Sequence, residues 1–173
     1  EIMPSLVGSE MCIRDRDSRE SSWPCGKEAD VSTGISARLA SAVNALPLTA
    51  GLRVLEIGCG PGVATRAAAR IVAPGGVVVG IDRSAVAIRQ AVRGSRAEIA
   101  SGTAEFRHSS IEEFAVRDDE KLFDLAFAIR VGALDGRHPG VFERAMEVIR
   151  SVVVPDGSLW IDGGDPLRRV EFA

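Results

Sequence analysis

The stretch VLEIGCGPGVATR, residues 54–66, constrains the chain more than any other. It runs from aliphatic residues through three closely spaced glycines into an alanine-rich segment. That order predicts a buried strand, a tight turn and a helix. In an open α/β sheet, ligands bind beyond the carboxyl ends of the strands, near the point where strand order reverses. The turn after a first central strand lies there. Gly58, Gly60 and Gly62 therefore either let a ligand approach the backbone or do no more than close a tight turn.

The rest of the chain repeats the alternation. Ile35, Leu39, Val43 and Leu46 fall at helical spacing before Pro47 and Gly51. After the glycine turn, VATRAAARIVA predicts a helix ended by Pro74-Gly75-Gly76, and VVVGID a second buried strand. SAVAIRQAVRG predicts a helix with Ser84 as N-cap and Gly94 as its stop. AEFRHSS is a third strand, IEEFAV a short helical segment, FDLAFAIRV a fourth strand and HPGVFERAMEVIRSVV a helix. PDGSLWIDGG is a turn leading into a fifth strand. Strands and helices alternating in this way predict a doubly wound α/β fold with a mostly parallel sheet and right-handed crossovers.

Two features discriminate between nucleoside cofactors. The dinucleotide fingerprint requires a glycine at position 63, where this chain has Val63, with Gly62 one place early. Glu56 stands at the end of the strand, directly before the turn. A carboxylate aimed there repels a diphosphate and suits a cofactor carrying an ammonium and a sulfonium. Asp82 ends the second strand, and its two oxygens can take both hydroxyls of a ribose. That use serves nicotinamide dinucleotides and S-adenosylmethionine alike; a helix N-terminal acid beside Ser84 is the alternative.

VLEIGCGPG, VVGIDRS, AEFRHSSIEEF, FDLAFAIRV and PDGSLWIDGG, in this order and spacing, resemble the class I S-adenosylmethionine-dependent methyltransferases. The resemblance spans residues 32–165. It implies a Rossmann-like methyltransferase fold, the cofactor S-adenosyl-L-methionine and an enzyme that transfers its methyl group. By position it places Gly58, Cys59, Gly60 and Gly62 against the methionine and ribose parts, and Glu56 toward the amino-acid end. Asp82 would hold the ribose and Arg83 flank the adenine. Ser110 stands where the family often has an acid for the adenine amino group, and Ile111 would pack on the ring. The end of the fourth strand, Ala128 to Arg130, would face the methionine part. Its sheet has seven strands, the last two an antiparallel hairpin.

Methyl transfer needs a base only where the acceptor must lose a proton. The candidates lie in RVGALDGRHPG: His138 or Asp135 as a general base, and Arg130 or Arg137 as a ligand for an acidic substrate. For His138 the alternative is a residue that merely precedes a helix at Pro139, and His108 reads as structural. The loop lacks the Asp/Asn-Pro-Pro-aromatic motif of amino-group DNA methyltransferases. The net charge of −3 and scattered basic residues lack the concentrated positive field of a nucleic-acid binder. A small-molecule acceptor follows by elimination. The rival readings are an NAD(P)-dependent oxidoreductase and a non-catalytic cofactor-binding module.

With 46% apolar and 26% charged residues, 173 residues can bury one domain's core. No run approaches the roughly 18–20 apolar residues of a membrane helix. Three cysteines without CxxC spacing indicate neither a disulfide framework nor a zinc site, so a reducing cytoplasm is expected. The ends differ from the middle. Residues 1–20 share neither its composition nor its patterning, and MPSLVGSEMCIRDR resembles translated sequencing-adapter read-through. They are expected to be a non-native or disordered tail on a domain spanning 21–173. At the other end, too few residues follow LWIDG for a helix and a hairpin. The expectation is a domain incomplete at its C-terminus, with five strands, the last two missing and the fifth an exposed edge.

Overall fold

The structure, a computed structural model, describes residues 34–134 and 139–172. The expected tail at 1–20 and the candidates Asp135, Arg137 and His138 lie outside the described residues. Helix α1 (Ala37–Ala45) is followed by β1 (Arg53–Ile57), α2 (Val63–Val72), β2 (Val77–Asp82), α3 (Ala85–Gly94), α4 (Arg96–Ala100) and β3 (Ala104–His108). Then come β4 (Phe123–Ala128), α5 (Pro139–Val152), β5 (Val153–Asp162) and β6 (Leu167–Val170), with short 3-10 turns at Ile111–Glu113 and Gly132–Leu134.

The sheet order is β3-β2-β1-β4-β5-β6, parallel except for β6. Strand order therefore reverses between β1 and β4, which places the glycine turn after β1 at the crevice. Both faces of the central strands are covered. Leu55, Ile57, Val79, Ile81, Ala126 and Ala128 pack toward α5 and the 3-10 segments. Val54, Val78, Leu125 and Phe127 pack toward α1 and α2. Neighbours along β1, such as Val54 and Leu55, are thus wholly buried on opposite faces, which explains their unbroken aliphatic run.

Local signals account for most boundaries. The Ser36 hydroxyl accepts the Leu39 N–H at the start of α1, and the Ser84 hydroxyl accepts that of Ala87 at the start of α3. α3 ends on Gly94, with Ser95 as its cap.

The expectation of five strands with β5 as the edge is corrected. β6 pairs antiparallel with β5, Leu159 opposite Val170 and Asp162 opposite Leu167. Gly163 and Gly164 make the return possible within a few residues. Gly163 has φ +106°, and a Cβ on Gly164 would lie 2.2 Å from the Leu167 carbonyl oxygen. The start of β5 also differs from expectation. Phe123 pairs with Val153 but Leu125 with Ser158, so Pro155-Asp156-Gly157 bulges out of the strand instead of preceding it.

Candidate functional site

The three glycines of the turn do two different jobs. All have positive φ (+70°, +53° and +74°), a conformation that disfavours residues with a Cβ. A Cβ on Gly58 would strike Val131 at 2.6 Å, and one on Gly62 would strike the Phe106 ring at 2.8 Å. Those two glycines are demanded by packing. Gly60 has nothing within 4 Å of its missing Cβ, so its bare backbone faces open space. A ligand can lie against it.

Both carboxylates expected at the crevice are there, Asp82 held by the turn and Glu56 by the helix that follows it. Asp82 Oδ2 accepts the Gly60 N–H at 2.9 Å and Oδ1 accepts the Ser84 N–H at 2.7 Å. The ribose role and the helix-capping role therefore coexist. A carboxylate offers about four acceptor positions, so the other lone pairs stay available to hydroxyls in the cleft.

Glu56 lies in the middle of the sheet, opposite Gly80 on β2 and Phe127 on β4, and is 4% exposed. Its Oε2 accepts the hydroxyl of Thr65, the third residue of α2. Burial pushes its carboxyl up from 4.5 to about 8, although the Thr65 hydroxyl and backbone amide and the more distant Arg66 favour the ionised form. Glu56 is thus lodged at the N-terminus of α2, where the helix ends of nucleotide-binding folds receive phosphate. With Asp82 on the Gly60 N–H, the chain's own carboxyls occupy the anion-binding positions of the turn. A diphosphate would meet two acids; a cation would be drawn in.

Sequence reasoning missed Thr65 and Gly80, which make the Glu56 site possible. A Cβ on Gly80 would lie 2.9 Å from Thr65 Oγ1 and 3.0 Å from Cys59 Cβ. The single glycine inside VVVGID was the available signal. Cys59 is buried, and burial pushes its thiol far above the ordinary range, with Glu56 and Asp82 adding to the effect. Its side chain stands in the wall of the cavity beside Gly60.

Three cavities open at this end of the sheet. One of about 210 Å³ is walled by Ser36, Arg38 and Leu39 of the first helix region and by Glu56, Cys59 and Gly60. A cleft of about 650 Å³ carries Gly58, Asp82, Arg83, Ser110 and Ile111. A third, of about 520 Å³, lies beyond the ends of β4 and β5 and includes Ala128. Arg130 lines all three. Gly62 lines none of them.

Around the larger cleft, Ile111 is 4% exposed and offers an apolar wall. Ser110 precedes the 3-10 turn, and its hydroxyl makes no cap bond there. His108 sits outside the cavities, its Nε2 3.0 Å from the Arg83 carbonyl oxygen, a tie between the ends of β3 and β2.

The methyltransferase-domain family matches residues 48–167, and the chain belongs to it. The fold is that of solved methyltransferases. An S-adenosylmethionine-dependent methyltransferase from Thiobacillus denitrificans, solved with S-adenosyl-L-homocysteine, is 29% identical with a TM-score of 0.55, over 72% of this chain and 46% of that one. A second, from Geobacter sulfurreducens and solved with the same ligand, is 26% identical with a TM-score of 0.55 and the same coverage. The cyclase SpnF is 28% identical with a TM-score of 0.58, over 72% of this chain and 43% of that one. The chain thus spans less than half the length of each. No curated protein sequence matches it. Among the described residues, no helix is long and apolar enough to cross a membrane.

Proposed function

We propose that the chain binds S-adenosyl-L-methionine and that the protein transfers its methyl group to a small-molecule acceptor. The observation that carries the reading is the buried Glu56 carboxyl beside the open backbone face of Gly60. Family membership and two solved relatives holding S-adenosylhomocysteine support it. In this reading the amino-acid end of the cofactor lies in the cavity of Glu56 and Gly60. Asp82 would hold the ribose, and Arg83, Ser110 and Ile111 would line the place of the adenine. The Ile111 side chain would pack on the ring, and the Ser110 hydroxyl would accept from its amino group where a carboxylate would otherwise stand.

The cofactor supplies an activated methyl group on a sulfonium. The chain supplies alignment and exclusion of water. Holding donor and acceptor in line can contribute about 7–11 kcal/mol without any proton transfer. Arg130 borders both the cofactor cavities and the cleft beyond β4, where Ala128 lies, so Arg130 marks the passage between them. His138 and Asp135 remain the candidates for a base, for acceptors that must lose a proton. The scattered cysteines fit a reducing cytoplasmic setting.

An NAD(P)-dependent oxidoreductase fits less well, because Glu56 and Asp82 occupy the positions a diphosphate needs. The likeness to a cyclase favours one other reading: a family member that uses this fold without methyl transfer. Calorimetric titration of S-adenosylhomocysteine and of NAD into the full chain tests the cofactor. The expected result is micromolar binding of the first alone, weakened in Asp82→Asn; binding of NAD alone would overturn the reading. Retention of radiolabelled methyl by S-adenosylmethionine across a pool of cell metabolites, with the cofactor bound, would favour the non-methylating alternative.

A further inference from the structure

We propose that the cleft beyond β4 and β5 receives an anionic acceptor: a small organic acid whose negative group pairs with Arg168 and Arg130 while its apolar body rests on Ala128, Leu134 and Ile161. The inference deepens the methyl-transfer reading and rests on it for the identity of the occupant as acceptor.

The cleft has an apolar floor and a basic rim. Ala128, Leu134 and Ile161 are 2%, 3% and 2% exposed. Among the described residues that line the cleft, Arg38, Arg130 and Arg168 stand around them against one acid, Asp162. That acid is already engaged. Its Oδ2 accepts the Arg130 backbone N–H, and its Oδ1 is 4.0 Å from Arg38 Nη2. Among the described residues, neither Arg130 nor Arg168 has an ion pair within 4.0 Å.

The backbone is shaped to present these guanidiniums. Arg130 has φ +62°, the one non-glycine residue with positive φ among the described residues. That conformation is disfavoured for an L-residue, and the bond from its N–H to Asp162 holds it. Strain of this kind is retained where the surrounding structure fixes it, and such positions cluster at ligand sites. Arg168 faces Ile161 across the β5–β6 hairpin. A Cβ on Gly163 would come within 3.4 Å of its Nε, so the glycine leaves room for the side chain.

A guanidinium binds a carboxylate through two parallel N–H donors, which fixes orientation as well as charge. An exposed ion pair alone contributes little. Two guanidiniums over a desolvated floor select for an acid that also has an apolar body. A cationic compound of the same shape meets like charges and is rejected.

Three probes of one shape test this: 4-hydroxybenzoate, 4-hydroxybenzyl alcohol and 4-hydroxybenzylamine, titrated into the full chain by NMR with and without S-adenosylhomocysteine. The anion should bind at least tenfold more tightly than the alcohol, and the amine most weakly. Arg168→Gln should lower affinity for the anion fivefold or more while leaving the alcohol unchanged, and Arg168→Lys should recover part of the loss. S-adenosylhomocysteine affinity should stay within twofold in both variants, because Arg168 does not line the cavities assigned to the cofactor. Equal binding of anion and alcohol, or an anion affinity indifferent to Arg168→Gln, would overturn the proposal. Failure of S-adenosylhomocysteine to bind would instead overturn the cofactor reading, and the anion preference without it would still report on the cleft.

Discussion

Glu56 and Glu120 are both largely enclosed by the protein, and their surroundings push them in opposite directions. Glu120 is 12% exposed and meets Arg107 Nη1 at 2.9 Å, Arg53 Nη2 at 3.2 Å and the Arg117 backbone N–H at 3.0 Å. Hydrogen bonds from Arg107 lead the effects that hold its carboxyl at about 2. Glu105 joins the same cluster through Arg107 and Arg117 and is lowered as well. Glu56 has the Thr65 hydroxyl and no guanidinium in contact. The nearby Arg66 turns its Nη1 to the Pro61 carbonyl and the Ser95 hydroxyl. Burial therefore dominates at Glu56, and its carboxyl rises to about 8. In the first cluster the carboxylates find their counter-charges within the chain, although Arg53 Nε and Nη2 are buried without a hydrogen-bond partner. The second lacks a cation, and a cationic ligand is what would complete it.

The contrast can be broken most strongly at Arg107, which is 12% exposed. Arg107→Ala strands Glu105 and Glu120 without their main partner and should cost about 3 kcal/mol of stability. Urea denaturation measures that loss, and calorimetry on the folded fraction should find S-adenosylhomocysteine affinity within twofold of the parent.

Next come the two glycines of unlike purpose. Gly62→Ala drives a methyl into Phe106 and should cost about 2 kcal/mol of stability. Gly60→Ala costs about 1 kcal/mol for its positive φ. Its methyl would project into open space, so cofactor affinity should fall at least tenfold, about 1.4 kcal/mol. Equal effects on binding from both variants would erase the distinction drawn between packing and cradle.

The contrast also separates the two acids by pH dependence. Folded Glu56 keeps a proton that the unfolded chain releases above 4.5, so its contribution falls as pH rises from 4.5 to about 8. Glu56→Gln should flatten stability across that window. Glu120 acts with the opposite sign. Its stabilisation is present at neutral pH and is lost as pH falls from 4.5 toward about 2. Glu120→Gln should remove that acid limb and leave the neutral window alone. Denaturation midpoints against pH resolve both.

What the sequence made legible follows from distance along the chain. The strands, the glycine turn, the cap at Ser84 and the stop at Pro74 are local signals, and so is the placing of Glu56 and Asp82 near strand ends. The partners that give those residues their properties are not local. Thr65 reaches Glu56 from the next helix, and Gly80 makes space from the neighbouring strand. Arg53, Arg107 and Glu120 meet only after three separate segments pack. Asp162 and Arg38 join Arg130 through the sheet order, which periodicity does not specify. β6 escaped because the sequence reading required a whole family hairpin, whereas two glycines suffice to fold four residues back on β5.

The central claim is that Glu56 is a neutral buried carboxyl until a cationic ligand arrives. The direct measurement is the calorimetric enthalpy of S-adenosylhomocysteine binding at pH 7 in buffers of different ionisation enthalpy. With the carboxyl at about 8, binding should release a large fraction of a proton, up to about one, and Glu56→Gln should abolish the release. Tight binding with no proton released by the parent chain, or the same release from Glu56→Gln, would contradict the account.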